Sequence, residues 1–362
     1  MPMNPLYIGA TLRDCGKTSV SLGLMQLLQA RGINPGYCKP VGQHYVRYHD
    51  KNIDEDGVLI HQVFNLQDEP YFLSPIAIER DFTRKFIQNP NVKPLEEEIL
   101  RCHQELLKKH PMVIVEGTGH AGVGSCFGLS NARVAQLLGA KVVIVTSGGI
   151  GRPIDEIAMS LALFRDFNVD VLGVILNKIL PEKYDMVKDT VDKGLRLLGT
   201  RLVGAIPFDR HLTTFTVGQL AEEFNYQIIC GADSLNNIIE DTVVAAMEPQ
   251  NVLQHIHDNS IIIIPGDRVD NILVSILVLS RGQPSGGIIL TGGFEPHPMI
   301  EPLLKSSRIP VLLSQEDTFT VSARMKDLGF KIRSYDTEKV ARLHDLVDKY
   351  VDCGFILNAV QQ

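Results

Sequence analysis

Short apolar runs alternate with longer amphipathic stretches over about the first 210 residues. The apolar runs predict strands at 6–9, 36–39, 112–116, 141–146, 171–177 and 201–206. The stretches between them predict helices at 17–31, 56–64, 94–110, 130–138, 154–167 and 183–198. Runs such as Val113-Ile-Val-Glu116 and Val142-Val-Ile-Val145 carry no polar alternation, as suits strands buried on both faces of a parallel sheet. Strand–helix alternation of this kind predicts an α/β fold with a doubly wound, mostly parallel sheet, whose ligands sit at the carboxyl ends of its strands.

The pattern breaks at 207–218, where a fresh helix starts at 216–224. A second α/β run follows, with strands at 260–265, 286–290 and 309–313 and helices at 270–279, 298–305 and 318–328. A polar amphipathic helix at 338–350 closes the chain. The expected organisation is a first domain over 1–210, a second, smaller α/β domain over 211–327, and a helical tail over 328–362.

Composition narrows the class. At 44% hydrophobic and 21% charged residues, the chain has the balance of a globular protein with a full core. A formal charge of −7, with no basic tract, leaves no electrostatic footprint for nucleic acid. The longest apolar run, Ser260 to Pro265, is too short to cross a bilayer, and Met1 to Pro5 do not form a secretory signal. The cysteines (Cys15, Cys38, Cys102, Cys126, Cys230, Cys353) include no Cys-x-x-Cys pair, which points to reduced thiols and a cytoplasmic location.

The chemistry begins at the end of the first strand. There Gly16-Lys17-Thr18 leads into a helix, the order a phosphate-binding P-loop requires. Backbone N–H groups and the helix N-terminus would face the phosphates, Lys17 would supply a charge, and the Thr18 hydroxyl would reach Mg²⁺. The strict pattern has glycine where Thr11 stands, and the nearest earlier glycine is Gly9. Cys15 lies inside the loop, read either as small-residue packing or as an oxidation-sensitive thiol. Lys39-Pro40-Val41 closes the second strand, and Lys39 is either a second phosphate-facing charge or a lysine before a turn. Glu116-Gly117 ends a buried strand, where P-loop proteins keep a carboxylate for Mg²⁺; the other reading is an acidic turn cap. Asp56, in Asp54-Glu55-Asp56-Gly57, either completes a magnesium shell or serves a helix N-terminus. Asn177 ends the fifth strand, where its amide suits either the N6/N7 edge of adenine or a turn. His120 is read as a substrate contact or a loop residue.

Together these residues, with Gly204-x-Ile206-Pro207, resemble the dethiobiotin synthetase-like P-loop family over about the first 210 residues. Leu6-Tyr-Ile-Gly-Ala-Thr and Ser21-Leu-Gly-Leu are most similar to the N-terminal region of long bacterial phosphotransacetylases. Gly266-Asp267-Arg268 and Thr291-Gly292-Gly293 resemble the DRTGG domain that follows in those proteins. The resemblance implies ATP held by Arg13, Asp14, Cys15, Gly16, Lys17, Thr18, Ser19, Asn177 and Pro207, and Mg²⁺ held by Thr18, Asp56 and Glu116. It implies Lys17, Lys39 and Glu116 as the groups around any transferring phosphoryl. The chain departs from dethiobiotin synthetase at Ala10-Thr11-Leu12-Arg13, in place of Gly-Thr-Asp-Thr, and at Gly42-Gln43-His44, where that enzyme has a substrate-holding serine. In the second domain, Asp267, Arg268, Thr291, Gly292 and Gly293 are expected either to take an anionic effector or, through an Asp267–Arg268 pair, to hold two loops together.

The chain stops at Gln362, before any phosphotransacetylase catalytic domain, so the expectation is the regulatory half as a free-standing protein. That is an ATP- and Mg²⁺-binding regulatory protein with slow hydrolysis at most, and at least a homodimer, because related P-loop domains often dimerise. The alternative is an ATP-dependent carboxylate- or carbamate-amine ligase of dethiobiotin synthetase type. A purely structural module is disfavoured because Lys17, Thr18 and Glu116 all remain.

Overall fold

The structure, a computed structural model, describes residues 3–281, 285–326 and 332–362. The chain divides into two compact units, one formed by residues up to Asp209 together with 332–362 and the other by the residues between them.

The first unit is built on a sheet of six strands: β1 (Leu6–Ala10), β2 (Gly36–Cys38), β3 (Val113–His120), β4 (Lys141–Ser147), β5 (Val171–Ile179) and β6 (Leu202–Pro207). All neighbours run parallel, in the order β6-β5-β4-β1-β3-β2. The crossover helices are α1 (Lys17–Ala30), α2 (Glu55–Val63), α3 (Lys93–Leu107), α4 (Asn131–Leu138), α5 (Gly151–Asp166) and α6 (Tyr184–Leu197). The apolar runs become these strands because both faces of β1, β3 and β4 are covered, and their central residues are almost wholly buried. Strand order reverses at β1, which lies between β3 and β4. The carboxyl end of β1 is therefore the topological switch point where such sheets open a ligand crevice. The α/β class and the parallel, doubly wound sheet are as expected. β3 continues past Glu116 to His120, and a short hairpin, Tyr45–Tyr48 with Lys51–Asp54, precedes α2.

The second unit holds β7 (Gln227–Cys230), β8 (Asp241–Val244), β9 (Ser260–Pro265), β10 (Gly287–Thr291) and β11 (Val311–Leu313), in the order β7-β11-β10-β9-β8. Strands β8 to β11 are parallel, and β7 runs antiparallel at the edge. Its longer helices are α7 (Val217–Phe224), α8 (Val269–Leu279), α9 (Glu301–Ser307) and α10 (Thr318–Lys326). Ile262, Ile264, Ile288 and Leu290 pack into one core cluster, while Ile261, Ile263 and Ile289 pack into another. This alternation explains the unbroken isoleucine run: β9 is buried on both faces. The expected helix end at Leu328 lies outside the described residues.

Beyond the second unit the chain returns to the first as α11 (Thr337–Tyr350) and α12 (Cys353–Val360). The expected separate tail is thus part of the P-loop unit. Val340, Leu343, Leu346 and Val347 form a buried stripe on α11 at helical spacing. Val351 bridges to Gly204 of β6, Asp352 donates its N–H to the Val203 carbonyl at 2.8 Å, and Asn4 donates to the Val360 carbonyl at 2.8 Å. The helix α11 lies close against α1: a Cβ on Gly23 would come within 2.5 Å of Val347 Cγ2 and 2.8 Å of the Leu343 carbonyl oxygen. Among the described residues no helix is long and apolar enough to cross a membrane.

Gly23→Ala tests that contact. Helix propensity alone would make alanine more stable by about 1 kcal/mol. The backbone collision reverses the sign, so a net loss of about 1–3 kcal/mol and a lower thermal midpoint are expected. An unchanged or raised midpoint in a calorimetric melt would contradict the close packing.

Candidate phosphate- and metal-binding site

The loop from Thr11 to Gly16 joins the carboxyl end of β1 to α1 and is held from below by β4 and β5. Thr11, the residue in place of the expected glycine, is buried, with its hydroxyl 2.9 Å from that of Thr146 on β4. Its N–H donates to the Val145 carbonyl at 3.1 Å. Its side chain also lies 3.8 Å from the buried Cys15 thiol, so both residues serve loop packing. Asn177 is buried at the end of β5 and donates from Nδ2 to the Cys15 carbonyl at 2.9 Å, while its Oδ1 accepts from Lys178 N–H. Lys178 Nζ caps the Asp14 carbonyl at 2.7 Å. The amide of Asn177 is engaged on the loop backbone, because β5 ends directly beneath it. Gly16 has a φ of 96°, and any Cβ there would collide with Asn177 Nδ2, so glycine is required on both counts. Ser19 sits in the first turn of α1, and Pro207 ends β6 in register with Ile179, two strands from β4.

Beyond the loop, five charged side chains gather. Glu116 on β3 is 1% exposed; its two oxygens accept from the Thr18 hydroxyl at 2.8 Å and the Tyr37 hydroxyl at 3.0 Å. Lys39, just past β2, pairs with Asp54 at 2.8 Å and is in contact with Asp56. Asp54 caps α2 by accepting the Asp56 N–H at 3.1 Å, so it fixes the helix start and Lys39 together. Lys17 lies within electrostatic reach of Glu116, Lys39 and Asp56. It is 9% exposed, yet among the described residues its ammonium has no hydrogen-bond or ion-pair partner.

The electrostatics follow from burial set against pairing. Burial lowers the Lys17 pKa and Lys39 adds to this, with Glu116 opposing. Burial also acts to lower Lys39, but the carboxylates of Asp56, Asp54 and Glu116 outweigh it and hold that ammonium above its usual range. Burial raises Glu116, with Asp56 adding and the two lysines opposing. Burial raises Asp54 even against Lys39. Asp56 is pulled below the usual range despite its own burial, chiefly by Lys39 and then by Thr18 and Lys17.

Thr18, Glu116 and Asp56 offer hard oxygen donors of the kind Mg²⁺ takes. Among the described residues no three His, Cys, Asp or Glu side chains form a ready-made metal cage, and Mg²⁺ commonly draws its remaining ligands from phosphate and water. Asp54, Tyr37 and Lys178 were missed as contributors. Asp54 could have been found from its place before α2. Tyr37 could not, because its role depends on β2 lying beside β3. His120 is exposed at the end of β3 and accepts the Gly122 N–H at 3.2 Å.

In the second unit most of the strand-end polar groups are paired within the unit. Arg268 forms a two-pronged pair with Asp270 at 2.9 and 3.0 Å, which corrects the expected pairing with Asp267; Asp270 opens α8 and sits on the same side as the guanidinium. Asp267 is exposed. Thr291 is buried with its hydroxyl 2.7 Å from that of Thr318, while Gly292 and Gly293 donate to the Glu316 and Ser314 carbonyls at 2.8 and 2.9 Å.

A parallel sheet with a strand–loop–helix at its switch point and a buried lysine under the loop defines a P-loop protein. Residues 4–216 match the AAA domain family and residues 219–328 the DRTGG domain. The chain belongs to the AAA domain family. Phosphate acetyltransferase of Synechocystis sp. is 27% identical over 371 residues, covering 98% of this chain and 51% of that protein. The corresponding enzyme of Nitratidesulfovibrio vulgaris is 27% identical over 364 residues, covering 96% and 50%. The chain spans about half the length of these curated relatives. Among solved structures, the MinC:MinD cell division protein complex of Aquifex aeolicus is similar over 58% of this chain and 83% of that chain, at 14% identity and a TM-score of 0.38.

Lys39→Met tests how the charge cluster is balanced. Removing the ammonium leaves the buried Asp54 without its cation, at an expected cost of about 3–5 kcal/mol, read as a lower urea midpoint. Adding Asp54→Asn should recover much of the loss. If the single variant unfolds at the wild-type midpoint, the pair does not support the fold.

Proposed function

We propose that the first unit binds ATP with Mg²⁺ and that the whole chain acts as a nucleotide-linked regulatory protein, like the N-terminal region of the phosphate acetyltransferases it resembles. What supports this reading above all is the Lys17 ammonium, nine-tenths buried and without a partner among the described residues, at the mouth of a loop ending in a left-handed glycine. A buried, unpaired cation is costly, and an anionic ligand is the natural counter-charge. The backbone N–H groups at the start of α1 add to the same demand. In this reading Thr18, Asp56 and Glu116 hold Mg²⁺, Lys17 and Lys39 face the phosphates, and Asn177 keeps the loop in shape from below. The metal would supply charge neutralisation at the phosphates. The second unit would contribute a small-molecule effector site or an association surface, and the chain would form at least a homodimer.

Titration of Mg-ATP onto the full chain tests the nucleotide. Lys17→Ala is expected to weaken binding at least about tenfold. Wild-type affinity in that variant would overturn the reading. Phosphate release that appears only when a carboxylate and an amine are added would favour the ligase alternative instead. A monomer by light scattering at micromolar concentration would remove the dimer.

A further inference from the structure

The two places where the sequence departs from the dethiobiotin synthetase pattern, Arg13 and His44, meet in the structure. Arg13 Nη2 is in contact with His44 Nε2, although the residues come from separate strand-end loops. Both side chains are exposed. Arg13 belongs to the phosphate loop itself. The His44 backbone is tied to the charge cluster, with its N–H donating to Asp54 Oδ2 at 3.4 Å and its carbonyl accepting from Glu55 N–H at 2.8 Å. Among the described residues Arg13 has no carboxylate within ion-pair distance, unlike Arg101, Arg133, Arg268 and Arg324. A guanidinium carries five donors and no acceptor, so contact with one imidazole nitrogen leaves most of its donors open.

The charge balance of the cluster gives this pair its significance. Two lysines, Lys17 and Lys39, face three carboxylates, Asp54, Asp56 and Glu116, and Lys39 is already committed to Asp54 and Asp56. The interior therefore offers a phosphoryl group one unpaired cation amid a formal excess of negative charge. Mg²⁺ held by Asp56 and Glu116 would offset that excess in the interior, and at the rim Arg13 is the guanidinium the loop carries.

We infer that Arg13 and His44 form an oxyanion-binding pair at the mouth of the phosphate loop, with an entering phosphate-like group received between guanidinium and imidazole. An imidazole nitrogen can accept or donate. The ring that accepts from Arg13 in the structure would donate to an oxyanion, while Arg13 engages it through two donors. The oxyanion is either the terminal phosphate of the bound nucleotide or a separate oxyanion beside it. The pair goes beyond the proposed nucleotide site, because neither the loop pattern nor Lys17 requires it.

Calorimetric titrations of the full chain with Mg-ATP, Mg-ADP and inorganic phosphate test this on wild type, Arg13→Ala, His44→Ala and the milder Arg13→Lys and His44→Gln. Far-ultraviolet circular dichroism would check that each variant is folded. If the pair reads the nucleotide's last phosphate, both alanine variants weaken Mg-ATP about tenfold and leave Mg-ADP nearly unchanged. If it reads a separate oxyanion, both nucleotide affinities hold, and phosphate binding to the Mg-ADP complex, present in wild type, is lost in the alanine variants. Arg13→Lys should retain part of the binding in either case, since it keeps the charge and loses the fork. Unchanged ATP-to-ADP preference together with unchanged or absent phosphate binding would overturn the pair. Should wild type bind neither nucleotide, the nucleotide reading falls by itself. Phosphate alone then decides: binding lost in both alanine variants upholds the pair, and anything else overturns it.

Discussion

Everything at the switch point answers to one constraint: several charges are buried at the carboxyl ends of β1, β2 and β3, and each must find an opposite. Lys39 meets this requirement through Asp54 and Asp56, and in doing so it fixes where α2 begins. Glu116 has the charges of Lys39 and Lys17 within electrostatic reach and accepts from two hydroxyls, Thr18 and Tyr37. Lys17 is left over. The loop above it is held open by contacts from beneath, with Thr146 on Thr11, Asn177 on Cys15 and Lys178 on Asp14. A loop fixed in this way does not collapse onto its lysine.

The second unit shows the opposite solution to a similar topology. It too has parallel strands whose carboxyl ends carry short polar motifs, but most of those groups pair within the unit. Thr291 bonds Thr318, the N–H groups of Gly292 and Gly293 bond neighbouring carbonyls, and Arg268 bonds Asp270. Glu316 is closed by Arg324 and Tyr226. The contrast separates a loop cluster whose polar groups pair with one another from one that leaves a buried cation unpaired among the described residues.

The return of α11 and α12 to the first unit changes what the P-loop helix rests on. The helix α1 carries Gly23 at its contact with Leu343 and Val347, more than three hundred residues later in sequence. The same segment is pinned to β6 through Val351 and Asp352 and to the chain start through Asn4. The amphipathic pattern of 338–350 announced a helix with one apolar face. It held no information about which surface that face would cover, since many surfaces accept a Leu/Val stripe.

What the sequence determined by itself was local and periodic. The strands and helices of the first sheet, the mostly parallel character of both sheets, the phosphate loop and the candidates Lys17, Thr18, Lys39, Asp56 and Glu116 were legible because hydrophobic period and motif spacing encode them directly, whereas β7 and β8 of the second unit were not read. What the tertiary structure decided was pairing. Asn177 was read for an adenine edge or a turn, and Arg268 for Asp267 or an anionic ligand, yet in space the one donates to the Cys15 carbonyl and the other to the Asp270 carboxylate. Tyr37 reached Glu116, and Arg13 met His44, only because β2 lies beside β3 and two distant loops end at the same strand edge. Partner choice depends on distances set by strand order, and strand order is a property of the whole packed sheet rather than of any segment of it.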